Sequence, residues 1–268
     1  MHPFFGSDFL CIGHRGASGL APENTLPAFE LAVELGVDAI ELDVHLCEGE
    51  LVVIHDDDLA RTTSGRGRVA TSTLAGLRAL DAGDGNRIPL LGEVLDRVAD
   101  HCALNIELKG AGTAGPVTDL LRTRRADPDR HLLSAFDHGE LQAARAAAPE
   151  FPRGALFGRR DRDPVAAARA LDAVSVNLHR RTLTPDRVGA IHAAGMAVLV
   201  YTVNEVEAAL GMRELGVNGV FTDYPDRLLK TLGRTKAVGA ASESVAKGTN
   251  EVARPAVRPL PVQNPGDG

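Results

Sequence analysis

The sequence contains no tryptophan, and aromatic residues make up only 4% of its 268 residues. This scarcity argues against an aromatic belt at a membrane interface and against a base-stacking platform for nucleic acid. The formal net charge of -7 likewise offers no basic surface to nucleic acid or to an anionic membrane. No uninterrupted apolar run approaches the roughly 18 residues that suggest a membrane span. We therefore expect no nucleic-acid partner and no membrane span.

Cysteine is also scarce, because the chain has only Cys11, Cys47 and Cys102, and these form no CxxC pair. We interpret Cys11 and Cys102, which lie beside apolar runs, as buried free thiols. Residues 1–6 have neither the basic region nor the long apolar region of a signal peptide. Together these features predict a protein of the reducing cytoplasm.

Short β-like runs alternate along the chain with alanine-rich amphipathic segments, which predicts parallel βαβ units. Eight strands in this rhythm favour a TIM (β/α)8 barrel, for which this chain is long enough as one domain. The alternative is an open doubly wound sheet, but the early part of the chain lacks a GxGxxG turn. The strand candidates are residues 9–12, 39–44 with an extension at 51–54, 103–108, 131–136, 153–157, 173–178, 197–203 and 219–221. The helix candidates are residues 25–35 with Thr25 as cap, 92–99, 115–125, 138–148, 164–171, 185–194 and 205–215.

A short internal sequence similarity, which we call the echo, supports this organisation. Residues 34–40 match residues 214–220 in spacing and type, and each copy ends a helix at a glycine before entering a strand. In this alignment Asp43 corresponds to Asp223.

Two segments depart from the alternating pattern. Residues 57–89 form a polar, glycine-rich insertion after the second strand, and an insertion of this length is usually functional or separately folded. The segment 233–268 is rich in Ala, Gly, Ser and Pro and cannot bury a core. We therefore predict a barrel domain over residues 1–232 and a disordered tail over 233–268.

Paired carboxylates are the first chemical feature of the chain. Glu41 and Asp43 lie two residues apart on a predicted strand, so both side chains point to one face. Two acids on an otherwise apolar face need a bound cation or salt bridges to nearby Arg or Lys, and we favour the cation. Glu107 ends the next barrel strand as a candidate third ligand, and Lys109 shares its face. Three carboxylates favour Mg²⁺, Ca²⁺ or Mn²⁺ over Zn²⁺.

Two histidines occupy matching positions. His14 directly follows the first strand and His55 follows the strand extension, so in a barrel both would lie at the C-terminal rim, where active sites collect. Imidazole suits proton transfer near neutral pH, and two beside a carboxylate cluster favour an acid/base pair over isolated structural roles. Arg15 offers a planar fork for phosphate oxygens, a salt bridge to Glu23, or both.

Two further residues belong to the region of a late strand, Tyr201 on the strand and Asn204 directly after it. Tyr201 is a candidate for the pocket wall. Asn204 stands three residues before Glu207, and we interpret it first as a helix N-cap with a variant of the capping box.

Over roughly residues 9–232 the chain resembles the glycerophosphodiester phosphodiesterase family. Any one matching motif is weak, but their order and spacing together are highly specific. The motifs are His14-Arg15-Gly16, Pro22-Glu23-Asn24-Thr25, Glu41-Leu42-Asp43-Val44, His55-Asp56, Arg61-Thr62-Thr63, Ile88-Pro89-Leu90, Asn105-Ile106-Glu107-Leu108-Lys109 and Tyr201-Thr202-Val203-Asn204. One departure is Tyr201, where this family often has Trp, which bears on the shape of the leaving-group pocket.

The resemblance implies a TIM barrel with a family insertion at 57–89. It also implies one divalent cation, Mg²⁺ or Ca²⁺ with Mn²⁺ as a third candidate, held by Glu41, Asp43 and Glu107. His14 and His55 would be catalytic, and Arg15 and Lys109 would contact the phosphate.

We therefore expect a small-molecule glycerophosphodiester as substrate, hydrolysed to sn-glycerol 3-phosphate and an alcohol. One alternative is a lysophospholipase D or sphingomyelinase-D-like activity, and another is a barrel that binds phosphodiesters without turning them over. The sequence leaves open the head group, the acid and base assignment, the choice between water and the glycerol 2-hydroxyl as nucleophile, and the oligomeric state.

Overall fold

The strands of the protein form a closed barrel in the computed structural model, which describes residues 2–160 and 163–234. The strands are β1 (Leu10–Gly13), β2 (Ala39–Cys47), β3 (Glu50–Val53), β4 (Ala103–Leu108), β5 (His131–Ala135), β6 (Arg153–Phe157), β7 (Ser175–His179), β8 (Ala197–Tyr201) and β9 (Gly219–Thr222). All are parallel to their neighbours except β3, which pairs antiparallel with the end of β2. The barrel closes because β1 pairs with both β2 and β9. The predicted TIM barrel is therefore confirmed.

Helices connect the strands and cover the outside of the barrel. They are α1 (Leu26–Leu35), α2 (Leu74–Arg78), α3 (Leu91–Val98), α4 (Ala114–Thr123), α5 (His138–Ala147), α6 (Pro164–Ala170), α7 (Pro185–Ala193), α8 (Val206–Glu214) and α9 (Pro225–Thr231). Several begin at sequence signals for a helix start: proline opens α6, α7 and α9, and the side chains of Asp137 and Thr184 cap α5 and α7. No helix among residues 2–160 and 163–234 has both the length and the apolar character needed to cross a membrane.

Side chains alternate between the two faces of each barrel strand. On β2, Ile40, Leu42 and Val44 join the large apolar cluster that faces the helices. The residues between them point inward: Ala39 joins the apolar cluster inside the barrel, and Glu41 and Asp43 lie nearer the carboxyl end of the strand. This period of two is why one strand can supply both core and acidic site.

The amino end of the barrel is filled by apolar side chains. A short 3-10 helix at Pro3–Phe5 places Phe4 and Phe5 in the inner cluster, where they pack with Leu10, Ile12 and other inward-facing residues. Because apolar side chains fill the amino end, the polar groups inside the barrel lie at its carboxyl end.

The insertion that follows β3 has a small core of its own. Cys47, Val52 and Ile54 form a separate apolar cluster with side chains of residues 59–90, among them Val69 and Leu77. The insertion also contains a 3-10 turn at Val69–Thr71 and helix α2. The insertion therefore packs against the end of the β2–β3 pair and belongs to the same compact unit as the barrel, so its separate folding or function stays a prediction.

Several predicted boundaries need correction. Strand β1 is displaced by one residue, because it runs from Leu10 to Gly13, and β2 continues to Cys47 because β3 pairs with its end. Helices α2 and α9 were not predicted, since both are short and lack the alanine-rich amphipathic pattern of the others. All three cysteines are buried free thiols, as expected for Cys11 and Cys102. The predicted tail lies outside the described residues, apart from Gly233 and Arg234.

Candidate active site

Three carboxylates meet inside the carboxyl end of the barrel. Glu41 and Asp43 share the inner face of β2, and the register of the parallel pair sets Glu107 of β4 beside Asp43. Each of the three offers an oxygen atom within 4.8 Å of the others, and all three side chains are buried. The structure therefore brings together the three residues predicted as metal ligands.

The cluster is electrostatically strained. Burial and the negative charges of Asp43 and Glu107 raise the pKa of Glu41 well above its ordinary value. Burial and the charge of Asp43 raise the pKa of Glu107 to about 7, although Lys109 acts in the opposite direction. Burial would also raise the pKa of Asp43, but Lys109 and other nearby positive charges outweigh it and lower that pKa. The site thus holds more negative charge than its own cations offset.

Two cations border the carboxylates. Lys109 Nζ lies 2.7 Å from Glu107 Oε1 and 3.5 Å from Asp43 Oδ1. Arg15 donates from its backbone N–H to Glu41 Oε2 over 2.9 Å, and its Nε lies 3.5 Å from Asp43 Oδ2. Both residues predicted to contact phosphate therefore stand beside the predicted metal ligands.

The loop after β1 fixes the orientation of Arg15. Arg15 itself has a φ of 55°, and Gly16 follows with a φ of 83°. A side chain at position 16 is excluded, because a Cβ there would lie 2.6 Å from the backbone of Ala28. Arg15 Nη1 donates to Glu23 Oε1 over 2.7 Å, so the predicted salt bridge to Glu23 is present.

His14 is held by a carboxylate from the other end of the chain. Its Nδ1 lies 2.6 Å from Asp223 Oδ1, and Ser18 and Asn204 donate to the same carboxylate over 2.9 Å and 2.7 Å. Burial would raise the pKa of Asp223, but the hydrogen bond and charge of His14 outweigh it and lower the pKa to about 2. A hydrogen bond at Nδ1 leaves Nε2 for chemistry at the cavity.

His55 has the same arrangement with a different partner. Its Nδ1 lies 2.5 Å from Asp56 Oδ1, and Arg61 of the insertion binds the other oxygen of Asp56. The bond to Arg61 is the main reason that the pKa of Asp56 falls far below its usual range. Arg61 also donates to both oxygens of Glu23 over 2.7 Å and 2.8 Å, which links His55 to the loop that carries Arg15.

A cavity of about 460 Å³ joins these groups. Its walls include both histidines, Arg15, Glu41 and Glu107, together with residues from the ends of β5 to β9. Tyr201 lies in this wall as predicted. Its hydroxyl donates to Phe157 O over 2.8 Å, and its ring makes edge-to-face contacts with Phe136 and His179. The arrangement can bind an oxyanion beside two imidazoles.

Sequence reasoning missed the residues that orient the histidines. Asp56 and Asp223 had no assigned role, and Asn204 was interpreted as a helix N-cap. That interpretation is wrong, because α8 begins after Glu205 and the amide of Asn204 binds Asp223 instead. A signal for Asp223 existed in the internal echo, which aligns it with Asp43.

The sequence is similar to known proteins over most of its length. The sequence matches the glycerophosphoryl diester phosphodiesterase family over residues 14–227. It is 36% identical over 233 residues to the glycerophosphodiester phosphodiesterase of Caldanaerobacter subterraneus subsp. tengcongensis, which covers 82% of this chain and 96% of that protein. The protein of the same name from Bacillus altitudinis is also 36% identical, over 236 residues, with equal coverage.

Solved structures show the same fold. A phosphodiesterase of Oleispira antarctica, in complex with the product sn-glycerol-3-phosphate, is similar with a TM-score of 0.79 and 33% sequence identity. The match covers 84% of this chain and 96% of that chain.

Proposed function

The chain belongs to the glycerophosphoryl diester phosphodiesterase family, and we propose that it hydrolyses glycerophosphodiesters to sn-glycerol 3-phosphate and an alcohol. One observation carries the proposal. Two carboxylate-bound histidines, Arg15, Glu41 and Glu107 line a single cavity, and Asp43 and Lys109 lie directly beside these carboxylates. Together they supply groups that bind a phosphate, remove a proton from a nucleophile and return one to a leaving alcohol.

We propose Glu41, Asp43 and Glu107 as the ligands of one divalent cation. Their oxygen donors suit a hard cation, and Asp43 Oδ1 is buried with no hydrogen-bond partner in the described part of the chain. The raised pKa values of Glu41 and Glu107 indicate negative charge that a cation would offset. Mg²⁺ and Ca²⁺ are the expected ions, with Mn²⁺ as a third candidate. When bound, the ion supplies Lewis-acid stabilisation of negative charge on the phosphate.

Arg15 and Lys109 are the proposed phosphate-binding cations. Both are held by acidic partners, Arg15 through Glu23 and Lys109 through Glu107, so their charges are positioned before substrate arrives. Charge fixed in advance stabilises a transition state better than charge that must first reorganise.

We assign His55 as the general base. Burial, with the positive charges of Lys109 and Arg15, lowers the pKa of this imidazole, although Asp43 and Asp56 oppose that shift. A neutral ring that donates from Nδ1 to Asp56 has a free electron pair at Nε2, which is what a base requires. The charge of Asp56 is already shared with Arg61 and does little to favour the protonated ring.

We assign His14 as the general acid. Apart from this histidine, the carboxylate of Asp223 accepts hydrogen bonds only from neutral groups in the described part of the chain, the hydroxyl of Ser18 and the side-chain amide of Asn204. Asp223 therefore orients the ring through Nδ1, and His14 lines the cavity, where its Nε2 is our proposed proton donor to a departing alkoxide.

Leaving-group chemistry tests this assignment. A p-nitrophenolate leaves without protonation, so His14→Ala should retain far more activity on glycerophospho-p-nitrophenol than on glycerophosphoethanolamine. His55→Ala should lose activity on both substrates. Equal losses of His14→Ala on the two substrates would contradict its role as the acid.

The reaction itself is tested by release of glycerol 3-phosphate from a panel of glycerophosphodiesters. The assay should contain Mg²⁺, Ca²⁺, Mn²⁺ or EDTA, with Glu41→Gln as the control. We expect release that depends on the ion and is lost in the control. Tight binding of the diester without turnover, at saturating ion, would instead favour a non-catalytic phosphodiester-binding barrel.

One observation favours a second candidate, the cleavage of lysophospholipids. The ring of Phe136 is 46% exposed at the cavity, against Tyr201, and forms an apolar surface at the mouth. Lysophosphatidylcholine and glycerophosphocholine, assayed side by side, separate the two functions, and we expect the acyl-free diester to be preferred.

We also propose a cytoplasmic location. The burial of Cys11, Cys47 and Cys102 as free thiols supports it. Fractionation of the native host followed by immunoblotting tests it.

A further inference from the structure

One side of the cavity carries positive charge that the proposed reaction does not use. Arg159 follows β6, and Arg180 and Arg181 follow β7, and all three line the cavity. In the closed strand order, β7 lies across the barrel from β2, which carries Glu41 and Asp43. These arginines therefore face the acidic cluster from the opposite wall.

The three arginines surround His179. Arg159 Nε lies 3.2 Å from His179 Nε2, and the backbone N–H of Arg181 donates to His179 Nδ1 over 3.1 Å. Arg180 pairs with Glu205 over 2.8 Å. Within residues 2–160 and 163–234, neither Arg159 nor Arg181 has an acidic side chain at ion-pairing distance. We call Arg159, Arg180 and Arg181 the arginine wall; with respect to the described residues, it keeps two positive charges without an acidic partner.

Because the arginine wall and the two histidines line the same cavity, a diester whose phosphate lies at His14 and His55 can place one of its two substituents along the wall. A quaternary ammonium there would meet like charge, whereas a carboxylate or a second phosphate would find donors suited to it. The positive charges of the wall oppose the binding of a cationic substituent and favour the binding of an anionic one.

Resting on the proposed function, we propose that the arginine wall binds a negatively charged group on the alcohol moiety of the diester. The preferred substrates are then glycerophosphodiesters whose leaving alcohol carries an anion. Diesters with a cationic head group are disfavoured.

Three synthetic glycerophosphodiesters of similar size test this preference. Their leaving alcohols are 3-hydroxypropionate, propanol and choline, which carry a negative, a zero and a positive charge. The readout is kcat/KM for release of glycerol 3-phosphate, a product common to all three. We expect the carboxylate substrate to exceed the choline substrate by about tenfold or more at low salt.

Charge reversal then locates the effect. Arg159→Glu and Arg181→Glu should each lower the carboxylate-to-choline ratio by about tenfold. Arg213→Glu, in the last turn of α8 and outside the cavity, makes the same change in net charge and should leave the ratio unaltered. Raising the salt concentration from 0.1 M to 1 M shortens the screening length from about 10 Å to about 3 Å and should compress the wild-type ratio.

A wild-type ratio of one or less, or a ratio that neither wall substitution alters, would overturn the inference while leaving the phosphodiesterase activity intact. Absence of glycerol 3-phosphate from all three diesters would overturn the proposed function, and the inference with it. The salt experiment needs no variant, so the test does not depend on how the substituted proteins fold.

Discussion

Residues 24–43 and 204–223 are built alike and end in carboxylates with different tasks. In each, an asparagine amide donates to an aspartate 19 residues later, and the backbone N–H of that aspartate donates back to the asparagine oxygen. We call each such reciprocal Asn–Asp pair a clasp. The first clasp joins Asn24 to Asp43 over 2.9 Å and 3.3 Å, and the second joins Asn204 to Asp223 over 2.7 Å and 2.9 Å.

The surroundings of the two aspartates differ. The side chain of Asp43 is fully buried, with Glu107 beside it in the sheet and Glu41 two residues earlier. The side chain of Asp223 is 27% exposed, and Phe221 stands two residues earlier. The repeated backbone thus sets where each carboxylate lies, whereas the residues on neighbouring strands decide whether it joins an acidic cluster or orients an imidazole.

The sharpest test of this comparison is Asp43→Asn, which preserves shape and the acceptor for Asn24 while removing one charge. We expect a loss of about 10³-fold in kcat/KM at every ion concentration, because a proposed ligand and its charge are both lost. Steady-state assays over a range of Mg²⁺ and Ca²⁺ measure it. Activity within tenfold of the wild type would show that Asp43 is not part of the ion site.

The matching substitution in the second clasp, Asp223→Asn, should cost less. It removes the carboxylate charge that His14 faces and weakens the hydrogen bond that orients its ring, but leaves the acidic cluster intact, so we expect a loss of about 10²-fold in kcat. The ion dependence should be unchanged, which distinguishes it from Asp43→Asn. A weakened response to the ion would instead place both carboxylates in one functional unit.

The same contrast explains what the sequence predicts and what it does not. The alternation of apolar and acidic residues on β2 predicts both the barrel face and the carboxylate cluster, since residues two apart share a face. The pair His14 and Asp223 depends instead on closure of β9 against β1, over a separation of 209 residues. No local pattern contains that contact.

Asn204 shows how local reasoning fails in this setting. Asn is a common N-cap through its side-chain oxygen, but here that oxygen accepts from the backbone N–H of Asp223, and the amide nitrogen donates to the Asp223 carboxylate. Extending the echo of residues 34–40 and 214–220 toward the amino terminus would have paired Asn24 with Asn204 and identified the clasp. The sequence does not predict a role for Arg61, because Arg61 contacts its partners Asp56 and Glu23 only once the insertion has folded.

The acidic cluster of Glu41, Asp43 and Glu107 should also give the protein a distinct response to pH. Burial and the charge of Asp43 raise the pKa of Glu107 to about 7, above the ordinary 4.5. A raised carboxyl pKa contributes stability below the unfolded value, and that contribution is lost as the pH rises through the folded value. In EDTA, the contribution of Glu107 to the free energy of unfolding should therefore fall between pH 4.5 and pH 7, by up to about 3 kcal/mol.

Urea unfolding across this pH range measures the effect. Glu107→Gln should remove most of the decline, and saturating Ca²⁺ should reverse it in the wild type, since an ion that binds the folded state stabilises it. Burial lowers the pKa of His45 and His131, and their contributions to stability rise with pH over part of this range, so the wild type must be compared with Glu107→Gln. Identical profiles for the two proteins in EDTA would show that the pKa of Glu107 is not raised by the cluster.

The smallest expected effects come from the asparagines, and they separate the two clasps most directly. Asn24 is buried, so Asn24→Ala leaves the backbone N–H of Asp43 without its partner and should lower the free energy of unfolding by about 1–3 kcal/mol. Asn204→Ala affects a more exposed carboxylate and should cost about 1 kcal/mol. Its main effect should be a fall of about tenfold in kcat, because Asp223 would hold His14 less firmly. Urea unfolding and kcat on the same preparations give both values. If Asn24→Ala and Asn204→Ala lose equal stability and equal activity, the two clasps serve the fold alone. If Asn24→Ala mainly loses stability and Asn204→Ala mainly loses kcat, the same pair of hydrogen bonds serves the fold in one place and catalysis in the other.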